Sequence, residues 1–107
     1  MKKRLRAFVE DHPDGWDHDD WMGLLAELEA NGSDVSDPQK IGRFLEKTRL
    51  EWELTRRSVK GLGPKRSEAL VDRFETLWSL RHASVDDVAE VPTITRSLAE
   101  KVIQAIQ

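Results

Sequence analysis

The sequence Val59-Lys60-Gly61-Leu62-Gly63-Pro64-Lys65-Arg66 predicts a sharp reversal between two helices. Its two glycines flank one apolar residue, and glycine accepts the positive φ that such a turn requires. Leu62 is expected to hold the turn against a core. Pro64 suits the first position of the following helix, with Gly63 as its N-cap. The stretch therefore predicts a short helix, a tight turn and a second helix.

The start of this second helix has the properties of an anion-binding site. The first amides of a helix have no acceptor within the helix and lie at the positive end of its dipole. Here they belong to Gly63, Lys65 and Arg66, and the Lys60 side chain adds charge nearby. A backbone phosphate of a nucleic acid is the expected ligand, bound without regard to base sequence. The alternative is a plain helical corner whose glycines only solve a packing problem.

A second copy of this unit lies 32 residues further along the chain. At that offset, Val59 corresponds to Val91 and Leu62 corresponds to Ile94. Three further pairs follow in the second helix of each unit: Ser67 with Ala99, Leu70 with Val102, and Val71 with Ile103. The repeat predicts two similar hairpins in one module.

A linking helix is predicted between the two copies. Its inward face is expected to comprise Phe74, Leu77, Trp78 and Leu80. Ser84 and Asp87 have the spacing of a capping box, which predicts that the next helix begins there.

The segment from Arg56 to Ile106 resembles the tandem helix-hairpin-helix domain of DNA repair proteins, most closely the C-terminal domain of bacterial excinuclease C. Two stretches carry the resemblance: residues 59–66, and Leu80-Arg81-His82-Ala83-Ser84-Val85-Asp86-Asp87-Val88-Ala89-Glu90-Val91-Pro92. In that family, the two hairpins lie side by side on the minor groove, and their backbone amides hold phosphates of opposite strands. The resemblance implies such contacts for Gly61, Leu62, Gly63, Lys65 and Arg66 at the first hairpin, and for Thr93, Ile94, Thr95 and Arg96 at the second.

The resemblance also bears on cofactors and partners. Some relatives hold a monovalent cation with hairpin carbonyls, so this cation is the one cofactor that the resemblance implies. Other relatives use the domain to pair with a partner protein.

The second hairpin departs from the family pattern. Thr93 and Thr95 stand where glycine is usual, and a β-branched residue is strained at positive φ. Thr95 is expected instead to cap the helix that begins at Arg96. Because only Arg96 is basic at this turn, the second hairpin is expected to bind phosphate more weakly than the first.

The first 54 residues have helical patterns as well. Residues 2–10 place three apolar side chains on one side: Leu5, Phe8 and Val9. Asp17 is the expected N-cap of a second helix, whose apolar stripe contains Trp21, Leu24, Leu25 and Leu28. A third helix is predicted from Asp37-Pro38 to about Arg57, with a buried side of Ile41, Phe44, Leu45 and Trp52. This half is therefore predicted to be a short helix plus a helical hairpin.

Charge is divided unevenly between the halves. Residues 1–54 carry 8 basic and 13 acidic side chains, a net charge of −5, whereas residues 55–107 carry 9 basic and 7 acidic side chains, a net charge of +2. A local basic patch can bind a phosphate backbone even in a chain whose net charge is −3. The acidic half is instead a candidate surface for a protein partner or for a second copy of the chain.

A metal-dependent nuclease is a third interpretation. Residue types that bind divalent metals cluster near the second helix: His12, Asp14, Asp17, His18, Asp19 and Asp20. Acidic residues at a helix start, however, favour the helix dipole without any metal, so no metal site is expected. No catalytic triad, phosphate-loop motif or paired zinc-ligand spacing supports another enzyme class.

The 107 residues include no cysteine and no apolar run near the ~20 residues that span a bilayer, which excludes a disulfide scaffold and a membrane partner. We predict an all-α protein, with an acidic helical region at 1–54 packed on a tandem helix-hairpin-helix module at 55–107. The predicted function is non-enzymatic, sequence-nonspecific binding of duplex or junction DNA in repair or recombination, in the cytoplasm with the nucleoid. The alternative is protein–protein interaction or dimerisation without strong DNA binding.

Overall fold

Seven α-helices and no strand make up the structure, a computed structural model that describes residues 1–107. In chain order the helices are α1 (Lys2–Asp11), α2 (His18–Ala30), α3 (Pro38–Arg56), α4 (Pro64–Phe74), α5 (Leu77–Arg81), α6 (Val85–Ala89) and α7 (Arg96–Ile106). The predicted all-α class is confirmed. None of the seven helices has both the length and the apolar character needed to cross a bilayer.

Side-chain caps fix where several helices begin. Asp17 accepts a hydrogen bond from the Asp20 amide at 2.8 Å, and the Asp20 carboxylate accepts one from the Asp17 amide in return. Ser84 and Asp87 form the same reciprocal pair at the start of α6. Asp37 caps α3. These three predicted helix starts are confirmed, because each depends only on residues within three positions of one another.

Two apolar clusters fill the interior, and α3 runs through both. The N-terminal cluster comprises Leu5, Phe8, Val9, Leu24, Leu28, Ile41 and Leu45. The C-terminal cluster comprises 15 residues between Leu50 and Ile106, with both hairpins among them. Since α3 gives Ile41 and Leu45 to the first cluster and Leu50 and Leu54 to the second, one continuous helix joins the two halves. The predicted division after residue 54 falls inside this helix.

Two side chains predicted to lie in the core face solvent instead. Trp78 is 68% exposed and Phe44 is 47% exposed. Leu77 and Leu80 bury one face of α5, and Trp78 is rotated by about 100° from Leu77 around the helix, so it points outward. Trp78 stacks on His82 with ring centroids 4.1 Å apart. The three other tryptophans are partly buried against the N-terminal cluster, which confirms the buried side predicted for Trp21 and Trp52.

A buried carboxylate ties the end of α3 to the end of α7. Glu53 is 1% exposed and accepts hydrogen bonds from Arg57 Nε at 2.8 Å and from Arg56 Nη2 at 3.1 Å. Burial raises the pKa of Glu53, but the hydrogen bonds from Arg57 and Arg56 outweigh burial and leave that pKa below its ordinary value. Arg57 also donates to the Ala105 carbonyl. This bond supplies a donor to a carbonyl in the last turn of α7, where the helix itself provides none.

Candidate nucleic-acid interface

The two hairpin turns are closed by equivalent backbone hydrogen bonds. The Leu62 amide donates to the Val59 carbonyl at 3.2 Å, and the Ile94 amide donates to the Val91 carbonyl at 3.1 Å. The helices that follow the turns, α4 and α7, have 11 residues each and begin 32 positions apart. The predicted internal repeat is therefore confirmed at the level of individual hydrogen bonds.

Leu62 and Ile94 anchor the turns in the protein interior. Their side chains are 2% and 5% exposed and belong to the C-terminal cluster. Their amides donate to the two valine carbonyls, so these amides are not free for a phosphate. This corrects the expectation, drawn from the family resemblance, that both residues contact DNA through their amides. The anchoring role predicted for Leu62 is confirmed.

Unused amide donors lie at the start of α4. The amides of Gly63, Lys65 and Arg66 donate to no protein acceptor, and Pro64 has no N–H. Residues 63–66 are all exposed, so the acidic half of the chain does not cover them. Free N–H groups at the positive end of a helix dipole are suitable donors for an anion, so the predicted binding site stays a prediction with its donors exposed.

The second hairpin also has three free amide donors but uses a different cap. Thr93 has a φ of 72°, so this threonine adopts the left-handed backbone that glycine normally supplies. The Thr95 hydroxyl accepts a hydrogen bond from the Leu98 amide at 3.2 Å, which confirms its predicted role as the N-cap of α7. The amides of Thr95, Arg96 and Ser97 have no protein acceptor. The two threonines thus preserve the turn.

The charges beside the two turns differ. Lys60 and Lys65 are exposed and form no ion pair at the first turn. Arg96, the basic residue of the second turn, donates to Asp86 at 2.6 Å and lies 3.8 Å from Glu100. The first turn therefore presents unpaired positive charge, whereas the positive charge of the second is partly neutralised by neighbouring carboxylates.

Arg66 contacts both turns, which its position in the sequence does not indicate. Its Nε donates to the Thr93 carbonyl at 3.1 Å, and its Nη1 donates to the Gly61 carbonyl at 3.3 Å. Neither carbonyl accepts a backbone hydrogen bond. Because the positively charged guanidinium already donates a hydrogen bond to each of them, these two carbonyls are unsuitable ligands for the monovalent cation that the family resemblance implies.

A groove of about 1110 Å³ runs beside the first hairpin. Its lining comes from α1, α3 and α4 and includes Lys2, Lys3, Gly63 and Pro64. The basic start of α1 therefore borders the same open space as the N-terminus of α4, although α1 belongs to the acidic half.

Three of the six histidines and aspartates between residues 12 and 20 are engaged in other contacts: His12, Asp17 and Asp20. Asp17 and Asp20 form the capping box of α2. His12 Nε2 lies 3.7 Å from Asp20, and its Nδ1 is 2.7 Å from the Phe8 carbonyl oxygen. No group of three or more histidine, aspartate or glutamate side chains in the structure is placed to hold a metal ion.

Comparison with known proteins identifies relatives of part of this chain. A family model described as a SAM-like helix-hairpin-helix tandem matches residues 53–107. UvrABC system protein C of Symbiobacterium thermophilum is 52% identical over 48 residues, which are 45% of this chain and 8% of that protein. The same-named protein of Proteus mirabilis is 46% identical over 50 residues, 47% of this chain and 8% of that protein. That of Aliivibrio salmonicida is 36% identical over 66 residues, 62% of this chain and 11% of that protein.

The matches cover a small part of each relative but, for the family model, more than half of this chain. No solved structure matches the chain. The aligned part of the chain spans about a tenth of the length of the curated relatives. The family model, in contrast, covers just over half of this chain and contains both turns, both buried anchors and the 32-residue repeat. This protein therefore belongs to the family of SAM-like helix-hairpin-helix tandems.

Proposed function

We propose that this protein binds duplex DNA without sequence preference, with its main phosphate contact at the first hairpin. The observation that carries the proposal is the set of free, exposed amides of Gly63, Lys65 and Arg66 at the start of α4. Lys60 and Lys65 add unpaired positive charge beside these amides. Donors of this kind recognise the phosphate group rather than base edges, so the affinity should not depend on base sequence.

The second hairpin supplies a weaker contact to the other strand. Its free amides belong to Thr95, Arg96 and Ser97, and α7 begins behind them as α4 does behind the first turn. Arg96 is held by carboxylates, so this turn adds mainly dipole and amide interactions. With about 3 to 5 phosphate contacts in total, log K should fall against log salt with a slope of about −3 to −5.

The cellular role follows from the family resemblance. The tandem hairpins resemble those of DNA repair proteins, and the chain is similar to stretches of proteins named UvrABC system protein C. We therefore place this chain in DNA repair or recombination, as a non-catalytic DNA-binding protein of the cytoplasm and nucleoid.

The test compares two variants that each lose two positive charges. Lys60→Gln/Lys65→Gln removes the unpaired lysines of the first turn, whereas Lys40→Gln/Arg43→Gln removes two charges from the exposed start of α3. Titration of a fluorescent duplex at several salt concentrations measures affinity and salt slope. Circular dichroism checks that both variants keep the helical content of the parent.

The expected results separate local binding from overall charge. The Lys60→Gln/Lys65→Gln variant should weaken binding and make the salt slope less steep by about 2, one for each phosphate that is no longer neutralised. The Lys40→Gln/Arg43→Gln variant should bind like the parent. Equal affinity of all three proteins for DNA would overturn the proposal. A stable dimer by light scattering, with no DNA binding at low salt, would support the alternative role of the acidic half in protein contact.

A further inference from the structure

One side chain connects the two hairpin turns. We propose that Arg66 is a positioning residue that holds the turns at a fixed separation and thereby favours duplex over single-stranded DNA. This inference rests on the DNA binding proposed above and assigns the choice of DNA structure to one residue.

The two carbonyls bound by Arg66 occupy the same place in each turn. They belong to Gly61 and Thr93, which are separated by the 32-residue repeat and both have positive φ. Arg66 reaches them from the first turn of α4, at 3.3 Å and 3.1 Å. No other side chain donates a hydrogen bond to either carbonyl, so this guanidinium is the direct polar link between the turns.

The chemistry of arginine suits this role. The guanidinium is planar and carries five N–H donors in fixed directions, whereas a lysine ammonium is a single freely rotating group. Arg66 uses Nε for one turn and Nη1 for the other, so displacement of either turn would break one of the two bonds. A lysine at this position would keep the positive charge but lose the fixed geometry.

Fixed spacing matters for a duplex more than for a single strand. Phosphates of opposite strands across a groove have a set separation, so two turns can bind them together only when their own separation matches. A single strand is flexible and can adapt to turns that move.

The experiment uses the full chain and three variants: Arg66→Lys, Arg66→Gln and Lys65→Gln. Lys65 is the matched control because it is the preceding residue, is exposed, and has no hydrogen bond or ion pair from its side chain. Each protein is titrated against a fluorescent duplex and against the single strand of the same sequence. Thermal unfolding shows that each variant is folded.

Arg66→Lys should lower duplex affinity about threefold to tenfold, the effect of losing one hydrogen bond of ordinary strength, with single-strand affinity changed less than about twofold. Arg66→Gln should show the same loss of duplex preference. Because it also removes one positive charge, it should weaken binding to both DNAs further. Lys65→Gln should weaken binding to both DNAs by a similar factor. Parental duplex affinity in Arg66→Lys, or an equal loss on both DNAs, would overturn the inference.

A second measurement is independent of DNA. In ¹H–¹⁵N spectra, Arg66→Lys and Arg66→Gln should shift the amides of residues 93–96, although Thr93 is 27 positions away in the sequence. Lys65→Gln should leave those amides in place. If the parent protein binds no DNA, the proposed function fails, yet these shifts still decide whether the link between the turns exists. Unshifted amides in both Arg66 variants would exclude it.

Discussion

Gly61 and Thr93 occupy the same position in the two hairpin turns, and both adopt the left-handed backbone, with φ of 90° and 72°. Glycine accepts this conformation without strain, whereas a β-branched residue there costs about 1–3 kcal/mol. The second turn therefore forms although its sequence disfavours it. Its buried anchor, Ile94, and the cap at Thr95 hold it in place.

Exchanging the residues at these two positions should change stability in opposite directions. We expect Thr93→Gly to stabilise the protein by about 1 kcal/mol, because the strain removed exceeds the added backbone entropy of glycine. Gly61→Thr should destabilise it by about 1–3 kcal/mol. Strain rather than crowding is the cause, since a Cβ at Gly61 would meet only Leu98 Cδ1, at 3.8 Å. Urea unfolding measures both changes, and two changes of the same sign would contradict the assignment.

Glu53 should make the stability of the protein depend on acid pH. Its folded-state pKa is lowered, so its contribution is complete above the unfolded value of about 4.3 and is lost as pH falls through the folded value. Glu53→Gln should cost about 1–2 kcal/mol at pH 7, because charge-assisted bonds to Arg56 and Arg57 are lost. The difference from the parent should shrink below about pH 4. The control is Glu51→Gln, an exposed residue of the same helix; an equal cost there would contradict this role.

Glu46, unlike Glu53, should destabilise the folded protein at neutral pH. Burial raises the pKa of this carboxyl group, a change partly offset by the charge of Arg49, and Glu46 forms no ion pair. The charged form is therefore disfavoured in the folded state. Glu46→Gln should stabilise the protein by about 0.5–1 kcal/mol at pH 7, with the gain vanishing as pH falls below about 4. Thermal unfolding at both pH values tests this, and the exposed Glu29→Gln serves as control; a lower midpoint for Glu46→Gln at pH 7 would refute it.

Releasing Arg96 should strengthen the second hairpin as a DNA contact. Asp86→Asn removes the carboxylate 2.6 Å from the guanidinium, so Arg96 can turn toward a phosphate. We expect duplex affinity to rise about twofold to threefold and the salt slope to steepen by about 1. Stability should change by less than about 1 kcal/mol, because this ion pair is exposed. Glu90→Gln, which removes an exposed charge from the same region, is the control, and an equal gain there would indicate an effect of overall charge only.

Local features of the fold follow from the sequence alone. The caps at Asp17, Asp37 and Ser84 and the turn at residues 59–66 depend on hydrogen bonds and backbone preferences within about four positions. The 32-residue repeat could also be found in the sequence, because equivalent residues of the two hairpins bury equivalent side chains. These local features are sufficient to predict the all-α class and the free amides at the start of α4.

Features that join distant residues depended on the tertiary structure. The bonds of Arg66 to Thr93 and of Arg96 to Asp86 link positions 27 and 10 residues apart, and no spacing rule relates such pairs. The outward orientation of Trp78 depended on which face of α5 the C-terminal cluster covers. Hydrogen bonds within a helix or turn are set by neighbouring residues, whereas these contacts exist only once packing has fixed where each helix lies. The sequence therefore determined the two hairpins, and the tertiary structure decided how they are held together.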